Sequence, residues 1–249
     1  MLSHKPALAA ALICTALASS AAAAERQIGA VIELFTSQGC SSCPPADELL
    51  EEYAKRPDVV ALSYSVDYWD YQGWKDTLAS HEFTDRQKAY AAARGDRQVY
   101  TPQVVVNGQL PAIGSNDKAI KEAIEHSAKP FVPIDVSMNG DAVSVSVGKV
   151  EGWADRKATL WLVLYDRHAQ VPIGRGENSN KTLDYYNAVR RMQPVAMWRG
   201  EPIKVDLPMS KYHQGDADGC ALILQEESPG GVAGPIIGAA RIESPAGSW

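Results

Sequence analysis

The stretch Glu33-Leu34-Phe35-Thr36-Ser37-Gln38-Gly39-Cys40-Ser41-Ser42-Cys43-Pro44-Pro45-Ala46-Asp47 decides how the first half of this 249-residue chain is read. It ends an apolar run, Ile28 to Phe35, that reads as a strand broken only by Glu33. It leads into Asp47 to Lys55, where Leu49, Leu50 and Tyr53 read as a helix. Between the two stand cysteines at i and i+3, a spacing that can close a small disulfide ring. On a first helical turn, the partial positive charge of the helix N-terminus favours a thiolate at the first of them. Exchange needs a thiolate that attacks and a neighbour that resolves the mixed disulfide. The expectation is an exposed, attacking Cys40 and a more buried, resolving Cys43. Pro44 and Pro45 suit a first turn, whose amides lack partners anyway, but two in a row delay the helix and weaken its pull on Cys40.

Working outward, Val59 to Val66 reads as a second strand. Asp76 to Arg94 is mostly helix-forming, with Phe83 and Tyr90 on one face. Gln103 to Val106 is a third strand, Asn107-Gly108 is a strong hairpin signal, and Gln109 to Ile113 returns. Asn116 or Asp117 then caps a helix from Lys118 to Ala128. This order predicts a mixed sheet with flanking helices. Sites in open α/β sheets form at the carboxyl ends of strands, so Asp67-Tyr68-Trp69-Asp70, after the second strand, falls near Cys40. Two readings stand for this segment. Tyr68, Trp69 and Trp74 stack on a peptide or ligand that Asp67, Asp70 and Lys75 orient, or they form a packed aromatic lid with solvated charges.

Thr101-Pro102 stands directly before the third strand. With Cys40 to Cys43, the run Tyr100-Thr101-Pro102-Gln103-Val104-Val105-Val106-Asn107-Gly108 resembles the thioredoxin superfamily. That resemblance implies an α/β thioredoxin-like domain with Pro102 cis beside the dithiol and Thr101 facing the substrate; X–Pro is the one bond at which cis is readily reached. Glu33 lies close to the position where thioredoxins keep a buried acid, which implies a carboxyl that relays a proton to or from Cys43 if it faces inward. The expected catalytic residues are therefore Cys40, Cys43 and Glu33. The expected substrate-binding residues are Thr101, Pro102, Asp67, Trp69 and Trp74. A closer resemblance is to exported bacterial proteins of the family called domain of unknown function 1223. It is carried by the opening stretch and by Val66-Asp67-Tyr68-Trp69-Asp70, Gly73-Trp74-Lys75-Asp76 and Arg175-Gly176-Glu177-Asn178. It spans nearly the whole mature chain and implies an added domain, but no substrate. The chain departs from ordinary thioredoxins in three ways. Gly39 rather than Trp precedes Cys40, Ser-Ser separates the cysteines, and a helical insertion at about 68–95 lengthens the path to Thr101.

The pattern changes at Lys129-Pro130 and Pro133. Ile134 to Met138 and Val143 to Val147 alternate around Asn139-Gly140-Asp141, and further strands are expected at Thr159 to Tyr165, Ile203 to Leu207, Cys220 to Leu224 and Ile236 to Ala240. This predicts a thioredoxin-like domain over 25–130 and a small, mainly antiparallel, β-sandwich-like domain over 131–249. Arg167 to Gln193 is polar and glycine-containing and reads as a long loop with a short helix at Tyr185 to Arg191. Within it, Arg175 to Asn178 and Asn187 to Arg190 are either a segment that docks on the first domain or structural turns.

Residues 1–24 read as a signal peptide: Lys5, an apolar run from Ala7 to Ala18, then small residues before Glu25. The run is shorter than the roughly 20 residues that cross a bilayer, and no later segment is long and apolar enough. The chain is therefore expected to be exported, periplasmic or secreted, with no membrane span in its mature form. Cys14 is lost with the leader, which leaves Cys40, Cys43 and Cys220 in a compartment that permits disulfides. Cys220 shares a strand face with Leu222 and Leu224; it is a buried apolar thiol or a third redox cysteine that reaches Cys40. Lys and Arg number 24 against 30 Asp and Glu, a formal charge of −6 that argues against a nucleic-acid binder. No organic cofactor is implied. His81, His126, His168 and His213 have no metal-motif spacing, although any one joined to the dithiol would suit copper or zinc.

The first expectation is thus an exported thiol–disulfide oxidoreductase acting on protein thiols or disulfides, with a membrane redox partner if one keeps the dithiol reduced. The alternatives are a copper or other soft-metal handling protein using the dithiol plus a histidine, and a non-catalytic binding module on a thioredoxin scaffold.

Overall fold

Burial on both faces explains why the first strands read as nearly continuous apolar runs. β1 (Ala30–Thr36) and β2 (Val59–Ser65) pair in parallel, and every residue of both is buried. β3 (Gln103–Val106) runs antiparallel beside β1, and β4 (Leu110–Ile113) closes that edge through the Asn107-Gly108 turn. α1 (Pro44–Ala54) and α3 (Asp117–His126) cover one face through Ala46, Leu50, Tyr53, Ile120 and Ala123 on Ala30, Ile32 and Leu34. A single 3-10 turn at Asp70–Gln72 leads to α2 (His81–Arg94), which covers the other face through Phe83 and Tyr90 on Val31, Phe35, Leu62 and Tyr64. The structure is a computed structural model that describes residues 27–140, 142–153, 156–212, 217–228 and 232–242. The expected leader at 1–24, and His213, lie outside these residues.

The sheet does not stop at residue 130. β5 (Ile134–Asn139), β6 (Ala142–Val147), β7 (Ala158–Pro172), β8 (Thr182–Trp198), β9 (Ile203–Pro208), the short α4 (Met209–Tyr212), β10 (Gly219–Ser228) and β11 (Val232–Ile242) follow in chain order. β8 pairs in parallel with β2 at Ser63 and Ala188, which joins both halves in one eight-stranded mixed sheet of order β11-β10-β7-β8-β2-β1-β3-β4. The antiparallel sheet β5-β6-β9 packs as a second layer on Leu160, Leu162, Leu164, Leu222 and Leu224. The chain is thus mixed α/β, with a large mixed sheet and a small antiparallel one. Among the described residues no helix is long and apolar enough to cross a membrane.

The expectation for Arg167 to Gln193 is corrected. It is no loop with a short helix but the distal half of a hairpin between β7, of 15 residues, and β8, of 17. β10 accompanies β7 only as far as Tyr165. Beyond the Ser63↔Ala188 pair with β2 the two strands pair with each other alone, from His168↔Tyr186 to Pro172↔Thr182. A two-stranded ribbon keeps water on much of its surface, so its polar side chains mimic a loop. Leu183 and Tyr185 nevertheless alternate onto a buried side with Ile173, Trp74 and Leu78. Asn187, at φ 48°, marks the irregular step where the ribbon joins the sheet, and its Nδ2 donates to Ala61 O (2.8 Å).

Candidate functional site

Cys40 and Cys43 are joined as a disulfide with Cα atoms 5.4 Å apart. The helix mouth differs from the expected one. α1 begins at Pro44, so Cys43 is its N-cap and Cys40 lies before it, in a turn in which Cys43 N donates to Cys40 O (3.2 Å). The prolines fill the first turn, where a missing N–H costs nothing, and this leaves no room for both cysteines inside the helix. The expected exposure of Cys40 is also corrected. Its relative exposure is 1% and that of Cys43 is 0%, while Ser41 and Ser42 are open to solvent.

The tip of the β7–β8 ribbon, which includes the Arg175-Gly176-Glu177-Asn178 motif, is bonded to the backbone on both sides of Cys40. Asn178 is fully buried, and its Nδ2 donates to Gln38 O (3.1 Å) and Cys40 O (2.9 Å). Lys181 Nζ holds Asn178 Oδ1 at 3.0 Å, and Ser41 N donates to Glu177 Oε2 at 3.3 Å. Trp74 braces the tip from below. Its Nε1 donates to Gln38 Oε1 (2.8 Å), and its ring sits 3.1 Å from where a Cβ on Gly174 would stand. The ring and the tip backbone therefore leave no space for a larger residue at 174.

Thr101 and Pro102 complete the site from β3, and the bond between them is cis. A Cβ on Gly114 would lie 3.0 Å from Pro102 Cβ and 3.1 Å from Ala46 Cβ, so only that glycine backbone separates Pro102 from the first turn of α1. Trp69 links the parts. Its Nε1 donates to Thr101 Oγ1 (2.8 Å), and its Cβ would be 3.1 Å from a Cβ on Gly39, so the residue before Cys40 is glycine for want of space. The structure thus brings Cys40, Cys43, Thr101, Pro102, Trp69 and Trp74 together.

Two expected residues lie elsewhere. Asp67 serves α2: its carboxylate accepts from Thr84 Oγ1 (2.6 Å) and meets His81 Nδ1 (2.8 Å). Burial pushes its pKa up, but those contacts outweigh it and hold the carboxyl below its ordinary value. Glu33 shares the strand face of Val31 and Phe35, the face under α2 and opposite α1. Arg86 Nε donates to its Oε1 (2.7 Å), Tyr90 OH donates to its Oε2, and Arg86 also reaches Gln225 on β10 (3.0 Å). Glu33 is therefore half of a buried ion pair that ties α2 to the sheet, not a relay for Cys43.

Sequence reading missed Gln38, Asp47, Asp76 and Tyr185; of the two readings given for Arg175 to Asn178, docking is the one its bonds to Gln38 O and Cys40 O match. Asp76 Oδ2 accepts from Gln38 N (2.7 Å) and its Oδ1 from Leu78 N (2.8 Å). Burial nonetheless lifts its pKa to about 6, with the charge of Asp70 adding to the rise. Asp47 is 3% exposed, and neither of its carboxyl oxygens has a hydrogen-bond partner. Burial drives its pKa well up; the nearby Thr36 hydroxyl opposes this, yet falls short of bonding geometry. The one available signal was an acid at the Ala46–Leu50 spacing that buries α1.

Cys220 is free and buried in the core between the two sheets, where desolvation pushes its thiol to about 12. Three strands separate β10 from β1, so at one strand spacing per step Cys220 lies about 19 Å from that strand, which removes it as a partner of Cys40. Among the described residues no three His, Cys, Asp or Glu side chains are grouped to hold a metal. His81, His126 and His168 contact Asp67, Glu122 O and Asp184. A cleft of about 620 Å³ lined by Phe83, Arg86, Trp161, Met192 and Gln225 lies on the α2 face and contains none of the dithiol residues.

The family described as protein of unknown function (DUF1223) matches residues 31–225. The crystal structure of protein AGR_C_4864 from Agrobacterium tumefaciens is 37% identical, covers 90% of this chain and 97% of its own, and superposes with a TM-score of 0.79. HBP35 of Porphyromonas gingivalis is similar in fold alone: 13% identity, 88% of this chain and 81% of its own, TM-score 0.50. No curated protein matches.

Proposed function

The chain belongs to the DUF1223 family, and from that membership and the site just described we propose that it is an exported thioredoxin-like thiol–disulfide oxidoreductase acting on protein thiols or disulfides. One observation carries the reading: the Cys40–Cys43 disulfide sits at the mouth of α1, with Pro102 facing that helix's first turn across the Gly114 backbone. The β1-α1-β2 and β3-β4-α3 order on one mixed sheet supports the thioredoxin-like assignment.

In the reduced protein the Cys40 thiolate attacks one sulfur of a substrate disulfide, and the other sulfur leaves as a thiolate. Cys43 gives up its proton and attacks Cys40 Sγ, releasing the second substrate sulfur and closing the Cys40–Cys43 bond. Two electrons pass to the substrate, and a membrane dithiol partner returns them. Thr101 and Pro102 form the substrate groove, and Trp69 positions Thr101.

The ribbon tip adds a condition. A protein sulfur reaches Cys40 only when Asn178 releases Gln38 O and Cys40 O, so exchange is gated. The burial of Cys40 equally favours a second reading, a binding module whose disulfide is structural. Insulin reduction with a dithiol donor, compared between wild type and Cys40→Ser, separates them. Turnover lost in the variant supports the oxidoreductase; equal turnover, or a disulfide that small thiols cannot open, supports the module.

A further inference from the structure

We propose that Asp47 is the group that exchanges a proton with Cys43 as the disulfide opens and closes, a role that rests on the oxidoreductase reading above. Asp47 follows Cys43 by one turn of α1. Its amide donates to Cys43 O (3.2 Å), and residues four apart on a helix share a face with Cβ atoms about 5–6 Å apart. Both side chains are buried. The groups that meet Asp47 from the packed elements are Thr36 on β1, Tyr185 on β8 and Asp76 from the segment before α2, with Glu48 on α1 itself; Ser63 faces α1 from β2. The hydroxyls of Thr36, Ser63 and Tyr185 have no partner, like both oxygens of Asp47. The charges acting on Asp47, from Asp76 and Glu48, are both negative.

A carboxylate held without hydrogen bonds, away from water and beside other acids, is a poor anion. Asp47 is therefore a neutral acid while the disulfide is closed, and its proton is stored one helical turn from a sulfur. When the thiolate of a reducing dithiol attacks Cys40 Sγ, the S–S electron pair passes to Cys43 Sγ and the Asp47 proton follows, leaving a Cys43 thiol and an Asp47 carboxylate. In the oxidising half-cycle Cys43 returns the proton to Asp47 as it attacks Cys40. The proton balance closes within the pair. Glu33 cannot serve, because it faces the other side of the sheet and is held by Arg86 and Tyr90.

The test follows reduction of the chain's own disulfide by dithiothreitol against pH, with rates corrected to thiolate concentration. The wild-type rate constant is expected to fall by about tenfold or more as Asp47 ionises. In Asp47→Asn it should be at least about tenfold slower at low pH and independent of pH. A wild-type profile in a folded Asp47→Asn overturns the proposal. Because that variant can fail to fold, carbon-detected NMR titration of the aspartate carboxyls in the unaltered chain supplies a second readout. The Asp47 titration must move between the disulfide and dithiol forms, and an identical titration in both overturns the proposal. Neither measurement needs a protein substrate. A flat result beside normal insulin turnover sinks Asp47 alone, whereas lost turnover beside an intact pH profile sinks the oxidoreductase reading alone.

Discussion

Replacing Asn178 by alanine isolates the gate over Cys40. The amide Nδ2 makes two bonds, to Gln38 O and Cys40 O, and both exist only when the ribbon tip is down. At about 1 kcal/mol net for each, and somewhat more because the closed state then strands two carbonyls, the loss weakens closure by about 2–3 kcal/mol. With about 1.4 kcal/mol per decade, the opening equilibrium rises about 30- to 150-fold. The Cys40–Cys43 disulfide reacts only from the open state, so its reduction by a small thiol rises by the same factor while opening is fast. The assay is pseudo-first-order reduction by dithiothreitol, quenched by alkylation and read by mass spectrometry. Leu222→Ala is the control. It lies in the core between the sheets, far from the tip, and its loss of about 2–5 kcal/mol acts on the whole fold. Its reduction rate should match wild type. If Asn178→Ala reduces within about twofold of wild type, or if Leu222→Ala speeds up as much, the tip is not a local gate and the reasoning fails.

Glu33→Gln leaves Arg86 as an uncompensated buried charge, so it should cost about 3–5 kcal/mol in urea unfolding while the disulfide's reduction rate stays unchanged; a changed rate with unchanged stability would return Glu33 to the site. Trp69→Phe removes the bond to Thr101 Oγ1, with an expected loss of about 1 kcal/mol and a weakened KM for insulin, read from steady-state kinetics. Cys220→Ser buries a hydroxyl in the core between the sheets and should lose about 1–3 kcal/mol with no effect on the dithiol's reduction potential. Asp76 has a folded pKa of about 6 against an ordinary 3.8, so the folded chain holds this proton more tightly than the unfolded one. Its contribution is full below about pH 4 and is lost as pH rises to about 6, by roughly 3 kcal/mol. The unfolding free energy of wild type minus that of Asp76→Asn should fall across that window, and a flat difference would refute the shift.

Local chemistry made most of the elements legible. Val104 to Val106 with Asn107-Gly108 reads as strand and turn because turn residues and β-branched runs act within a few positions. Leu49, Leu50 and Tyr53 marked α1 from Asp47, three residues after its observed start at Pro44, and Thr101-Pro102 marked the site's other wall. The distal ribbon was opaque for a related reason. Half of its surface meets water, and the strand partners of its polar residues lie on the facing strand, up to 18 residues away in His168 and Tyr186.

What the sequence by itself determined is the pair of sulfurs, the strand before them, the helix after them and the proline opposite. Only the tertiary structure decided which acid attends them and who may reach them. Side chains on a strand alternate, so Glu33 belongs to whichever helix covers the odd-numbered face of β1, and nothing in its neighbours names that helix. α2 claimed it, and the face under α1 was left to Asp47. Cys40 is buried, and its carbonyl is held by Asn178, 138 residues further on. The burial of a thiol by a distant hairpin depends on how two sheet segments join at β2 and β8, a long-range pairing with no local signature.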